Sequence, residues 1–262
     1  MGEGPFDGRH GLGAVVCDLD GVVTDTASLH RAAWAETFDA LLARLAASGE
    51  LSEGAARPFT DADYAAYVDG RPRVDGVRTF LASRGIDLPL GAEADPPGDG
   101  TAWAVGNAKD GRFAARLAGG VTVFHDAVAF VRAARDHGWG TGIVSSSAHC
   151  RAILEQAGLA GLFEVRVDAG VAAELGLPGK PDPATFVEAA RRLAAAPAAT
   201  VLVEDAAVGV EAGRRGGFGL VVGVDRSGGD PRGLGRWADV VVPDLDVVRD
   251  RIFPAGVRVI RP

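Results

Sequence analysis

At 262 residues, 47% of them hydrophobic, the chain can bury a sizeable core, as one large domain or as a core plus a smaller one. A formal charge of -8 argues against general nucleic-acid binding. No apolar run reaches membrane-spanning length, and the Gly-rich start, Met1 to Gly13, has no apolar signal core, so a cytoplasmic protein is expected. In that setting Cys17 and Cys150 read as buried bystanders and not as a structural disulfide, with a catalytic thiol as the alternative.

The first apolar run contains Val15 and Val16, has the β-branched character of a buried strand and stops at Gly21, where the backbone can turn tightly. Asp18 and Asp20 therefore sit at a strand's carboxyl end, and their two-residue spacing lets both face one crevice. Two acids there need a counter-charge. A hard divalent cation such as Mg²⁺ supplies it through oxygen ligands, and the pair suits a carboxylate nucleophile on phosphorus with a second carboxyl group handling the proton. The plain alternative is an ordinary acidic turn.

Ala27 to about Gly49 reads as a helix, with Leu29, Ala33, Leu41, Leu42 and Leu45 forming its apolar stripe. Leu51 to Gly120 carries helical patterns, notably Val74, Val77, Phe80 and Leu81, but no convincing strand. A Pro/Gly/Asp-rich loop spans Leu88 to Gly100, a helix follows over about Thr101 to Leu117, and Gly119-Gly120 reads as a hinge. Residues 27–120 are thus expected as an α-helical domain inserted into a core domain of residues 1–26 and 121–262.

From Val121 the texture alternates. Helices are expected over Asp126–Asp136, Ala148–Ala157, Pro183–Ala194 and Val208–Arg215, and strands over Gly140–Ser145, Phe163–Val167, Thr200–Val203, Leu220–Val224 and Asp239–Val242. Repeated βα units imply an α/β fold, a Rossmann-like, mainly parallel sheet with ligands at the strands' carboxyl ends. The remaining polar signals fall there. Ser145-Ser146-Ser147 offers hydroxyl and amide donors opening a helix, Lys180 is held before Pro181-Asp182-Pro183, and Glu204-Asp205 is a second acid pair that can complete a metal shell. Of the 27 basic residues only Lys109 and Lys180 are lysines, which marks them as places needing a compact ammonium. Each motif alone has a bland counterpart in a helix cap or a surface turn. Their agreement on one side of one sheet weighs more than any single match.

Asp18-Leu19-Asp20-Gly21-Val22, Ser145, Lys180-Pro181 and Glu204-Asp205 in this order resemble the four motifs of the haloacid dehalogenase superfamily. Thr24-Asp25-Thr26, His30, Trp34, Gly70, Arg73, Lys109 and the serine loop resemble its β-phosphoglucomutase-like branch, which has a helical cap. The resemblance covers Val15 to Val242. It implies that Asp18 becomes an aspartyl phosphate, that Asp20 is general acid and base, and that Ser145 and Lys180 fix the phosphoryl group. Mg²⁺ would be held by Asp18, the backbone carbonyl of Asp20 and Asp205, with Glu204 close by. Arg73 would take a distal phosphate, Thr26 and His30 would couple cap closure to Asp20, and Lys109, Trp34, Gly70, Ser146 and Ser147 would serve the substrate. His30 and Trp34 also read as ordinary packing residues, and Arg73 as a surface arginine.

Three positions depart from that pattern: Ala148-His149 where Lys-Asn is usual, Ala108 where an arginine is usual, and Asp69 where a lysine is often found. The departures leave the Asp18 and Asp20 chemistry intact and bear on the sugar and the second phosphate. The preferred reading is a monomeric mutase converting β-D-glucose 1-phosphate to glucose 6-phosphate. A phosphatase acting on a small phosphorylated sugar is the runner-up, and a non-enzymatic binding protein on the same scaffold is the third. No nucleic-acid or membrane partner is expected.

Overall fold

The β-branched runs form a single six-stranded sheet: β1 (Ala14–Asp18), β2 (Gly140–Val144), β3 (Val165–Val167), β4 (Thr200–Glu204), β5 (Leu220–Val224) and β6 (Val240–Val242). The computed structural model describes residues 11–52, 54–230 and 232–254; the Gly-rich start up to residue 10 lies outside them. Every pairing is parallel, and the spatial order is β3-β2-β1-β4-β5-β6. Parallel strands covered on both faces must be apolar throughout, and β1, β4 and β5 are buried at every residue. The order reverses between β1 and β4, which opens a crevice beyond their carboxyl ends. Register levels those ends: Asp18 pairs with Val144, and Cys17 with Val203. Asp18, Ser145 and Glu204 consequently arrive at one edge.

The chain divides into two units, Met1–Asp25 with Thr122–Pro262, and Thr26–Val121. In the second unit α1 (Thr26–Ala47) is followed by a single turn α2 (Asp61–Asp63), a π-helical turn Tyr64–Val68, α3 (Arg73–Ser83) and α4 (Ala102–Leu117). Its core joins Trp34, Phe38, Leu41, Leu42 and Leu45 of α1 to Val77, Phe80 and Leu81 of α3 and Val105 of α4. Phe38 and Phe80 lie 4.2 Å apart between centroids, and Phe59 meets Phe80 edge-on at 5.0 Å. Thr60 caps α2 in a reciprocal box with Asp63. Asp63 is buried; both its oxygens accept Arg57 at 2.8 Å, and Arg84 reaches it at 3.0 Å. Burial pushes this carboxyl up, but Arg57 and Thr60 outweigh that and hold it at about 2.

In the sheet unit the crossovers are α5 (His125–Asp136), α6 (Cys150–Gln156), α7 (Ala169–Leu175), α8 (Ala184–Arg192), α9 (Ala207–Arg215) and α10 (Asp246–Ile252). Two of these, α7 and α10, were not expected from the sequence. The helix expected from Ala148 begins at Cys150, because the Ser147 hydroxyl accepts the His149 N–H and keeps that stretch a turn. The strand expected from Phe163 begins at Val165. Among the described residues no helix is long and apolar enough to cross a membrane.

Candidate active site

β1 ends on Asp18, which is 4% exposed. Its Oδ1 takes the Lys180 ammonium at 2.5 Å, and its Oδ2 accepts the backbone N–H of Asp20 at 2.9 Å. The carboxylate is thus oriented from both sides. The same ammonium donates to Glu204 Oε1 at 2.5 Å, while Glu204 Oε2 accepts the N–H groups of Asp205 and Ala206 at 2.5 and 2.6 Å. Glu204 is fully buried, and both of its oxygens serve these donors.

Burial raises the Asp18 carboxyl most; Lys180 opposes that rise, and Glu204 and Asp20 add to it, leaving the acid well above its ordinary range. For Lys180 burial pulls the other way, but Asp18 and Glu204 reverse it and hold the ammonium charged. Asp20 lies past the strand, and its Oδ2 accepts the Ser145 hydroxyl at 2.8 Å. The Ser147 N–H donates to Ser145 Oγ at 3.0 Å, so the serine loop braces its own first member.

Two glycines make room for the acids. Gly21 has φ +84, and a Cβ there would overlap the Asp205 carboxylate; a Cβ on Gly209 of α9 would overlap that of Glu204. Oxygens of Asp18, Glu204 and Asp205 all lie within 4.8 Å of one another. Lys180 serves Asp18 and Glu204, and Arg232 Nη1 donates to Asp205 Oδ2 at 2.6 Å and to its carbonyl at 2.7 Å. An all-oxygen, buried donor set of this kind fits a hard divalent cation. The Asp20 carboxylate stands apart from that cluster, on Ser145.

The residues singled out in the helical unit form two groups of their own. Lys109 Nζ lies 2.6 Å from His30 Nδ1, 5.2 Å over the Trp34 ring and 4.7 Å over Phe113, on which His30 stacks at 3.9 Å. Trp34 is itself part of this unit's core, stacked on Phe38 at 4.9 Å. Arg73, first residue of α3, pairs with Asp110 at 3.0 Å beside Trp103. Gly70 turns the chain at φ +71 just before it. Thr26 is buried at the start of α1. Cys17 and Cys150 are free and buried, and burial pushes both thiols up, which disfavours a thiolate nucleophile.

Arg226 and Arg232 were missed from the sequence, hidden among many arginines in the Gly-rich stretch after β5. Their place past a strand's carboxyl end was the available signal.

A haloacid dehalogenase-like hydrolase family model matches residues 12–217. The chain is 43% identical over 238 residues to a β-phosphoglucomutase of Mycobacterium bovis, covering 88% of this chain and 89% of that protein. It is similar to the crystal structure of a β-phosphoglucomutase from Clostridium difficile, with a TM-score of 0.72 and 19% identity over 92% of this chain and 96% of that one. It is also similar to a haloacid dehalogenase family hydrolase from Deinococcus radiodurans crystallised with phosphate and sodium, with a TM-score of 0.63 and 28% identity over 94% of this chain and 97% of that one. With a sheet order, a buried acid cluster and a family match in agreement, this chain belongs to the haloacid dehalogenase-like hydrolases.

Proposed function

We propose that the protein transfers a phosphoryl group on a small sugar phosphate through an aspartyl phosphate on Asp18, as a β-phosphoglucomutase acting on β-D-glucose 1-phosphate. The observation that carries this reading is the Asp18 carboxylate, fixed by Lys180 on one oxygen and by the Asp20 N–H on the other, with a second carboxyl group two residues on. The likeness to a β-phosphoglucomutase over most of both chains supports the mutase over other transfers.

In this scheme Asp18 Oδ attacks phosphorus and the bond to the sugar oxygen breaks. Asp20 gives that oxygen a proton. It then takes one from the accepting hydroxyl as that oxygen attacks the aspartyl phosphate and frees Asp18. Lys180 offsets charge on Asp18 and on the phosphoryl oxygens. Ser145 holds Asp20 and is placed to donate to a phosphoryl oxygen when Asp20 turns to its proton. Asp18, Asp205 and the backbone carbonyl of Asp20 would hold Mg²⁺, with Glu204 positioning Lys180 and the Asp205 backbone. When bound, the ion supplies charge neutralisation. Arg73 would serve a distal phosphate, and Lys109 with His30 the sugar.

A phosphatase is the second reading, favoured by Ala108, Ala148 and Asp69 at positions where the mutase pattern has positive or polar contacts. The experiment is a product assay with β-glucose 1-phosphate, Mg²⁺ and a trace of glucose 1,6-bisphosphate. Dominant glucose 6-phosphate supports the mutase, and dominant free phosphate the phosphatase. Failure of Asp18→Asn to abolish turnover would overturn both.

A further inference from the structure

Asp18 ends β1 and is paired with Val144 of β2, one residue after Cys17 pairs with Val203 of β4, whereas Asp20 rides on the turn that follows. That turn is closed within itself: the Gly21 N–H donates to the Thr24 carbonyl at 2.7 Å, and the N–H groups of Val23 and Thr24 donate to the Leu19 carbonyl at 3.0 Å each. From outside it is met by Arg226, whose Nη2 donates to the Val22 carbonyl at 3.0 Å and whose Nε donates to that of Gly21 at 3.3 Å.

The guanidinium does not stop there. Its Nη1 pairs with Asp126 at 3.1 Å, and its plane lies 3.7 Å from the centroid of Phe124. Phe124 belongs to the returning connection, which is stitched to the outgoing one: the Phe124 N–H donates to the Val23 carbonyl at 2.9 Å, and Thr24 bridges Val123. Asp126 is oriented in turn by the Leu245 N–H at 2.8 Å. The base of Arg226 is equally firm. The neighbouring Asp225 carboxylate accepts the Ser227 N–H and hydroxyl at 3.1 and 2.6 Å and the Asp230 N–H at 2.8 Å, while the Asp225 N–H pairs with the Val242 carbonyl at 2.9 Å.

We propose that Arg226 is a positioning residue for Asp20, a clasp that fixes the acid-bearing turn against both connections between the two units. Three acceptors in different directions and a ring face call for a planar fork of donors, and a lysine ammonium cannot serve them together. A shift of about 1 Å at a proton-transferring group costs on the order of 100-fold in rate, so a turn released on its outer side matters to the chemistry. The inference rests on the reading that Asp20 handles the proton of the departing sugar.

That role predicts a dependence on the leaving group. p-Nitrophenolate departs without a proton, whereas a sugar alkoxide needs one. Arg226→Ala should therefore lose at least about tenfold more in the single-turnover rate of leaving-group release from β-glucose 1-phosphate than from p-nitrophenyl phosphate, with the KM for each moving far less. Arg226→Lys should recover part of the difference, and added guanidine should recover part of it in Arg226→Ala. Asp20→Asn is the reference and should show the same bias, larger in size. Equal losses on the two substrates, or none, in an Arg226 variant overturn the proposal, and Arg226→Lys alone decides it if the alanine variant does not fold. A biased Asp20→Asn beside an unbiased Arg226→Ala defeats the clasp and leaves the proposed function standing. An unbiased Asp20→Asn defeats the reading of Asp20 and the clasp with it.

Discussion

Lys180 in the sheet unit and Lys109 in the helical unit are both nearly sealed from solvent, at 4% and 3% exposure, yet their charges are offset by different chemistry. Lys180 lies between the carboxyl groups of Asp18 and Glu204 at 2.5 Å each. Lys109 lies over two ring faces and donates to an imidazole nitrogen. Since an ammonium only donates, His30 Nδ1 is assigned as acceptor. Two carboxyl groups at hydrogen-bonding distance fix the ammonium in one place and hold it charged. Lys109 is held by ring faces and an imidazole nitrogen instead.

The largest effect is expected at Lys180. Lys180→Met leaves two buried carboxylates facing each other, so it should cost about 3–5 kcal/mol in urea unfolding and about 10³-fold in kcat. Next, Gly209→Ala pushes a methyl group into the Glu204 carboxylate; about 1–3 kcal/mol of stability should be lost, and kcat should fall with it as Lys180 loses its second partner. The helical unit holds one lock of the first kind, at Asp63. A carboxyl lowered to about 2 from an unfolded value near 4 contributes stability above pH 4 that disappears as pH falls through 2. Asp63→Asn should therefore cost about 2 kcal/mol at pH 7, and the gap to the wild type should close on acidification towards pH 2; a gap that widened would contradict the sign. The smallest effect is expected at Lys109→Met, about 1 kcal/mol or less by thermal unfolding, because a thioether sits well among Trp34 and Phe113. Its mark should be a raised KM for the sugar phosphate with p-nitrophenyl phosphate less affected.

The parts of the fold legible in the sequence were those where one chemical signal ran unopposed. Val15, Val16 and the runs from Thr200 and Leu220 are rich in β-branched residues, and each lies in a fully buried strand. Asp18, Asp20, Lys180 and Glu204-Asp205 were findable because they follow strands that were already recognisable. Ala169–Leu175 was missed since it buries no residue and so carries no apolar stripe, although Asp168 accepts the Val171 N–H at its start and Gly176 ends it in the left-handed conformation. The two arginines of the site were illegible for the opposite reason: in a chain that uses arginine almost everywhere, residue type says nothing, and only the fold shows that Arg226 reaches Gly21 and Val22, some two hundred positions away.

The strand at the centre of the sheet has a consequence for the birth of the molecule. β1 is synthesised before the helical unit, but its two neighbours begin at Gly140 and Thr200, beyond the whole of that unit. While the ribosome makes residues 26–121, a β-branched strand ending in Asp18 waits unpaired. The helical unit has its own aromatic core and can fold meanwhile, and its two ends are tied by the Asp25 N–H on the Thr122 carbonyl at 2.9 Å. Once folded, it turns a long loop closure into a short one, and the waiting strand meets its partners as soon as they emerge.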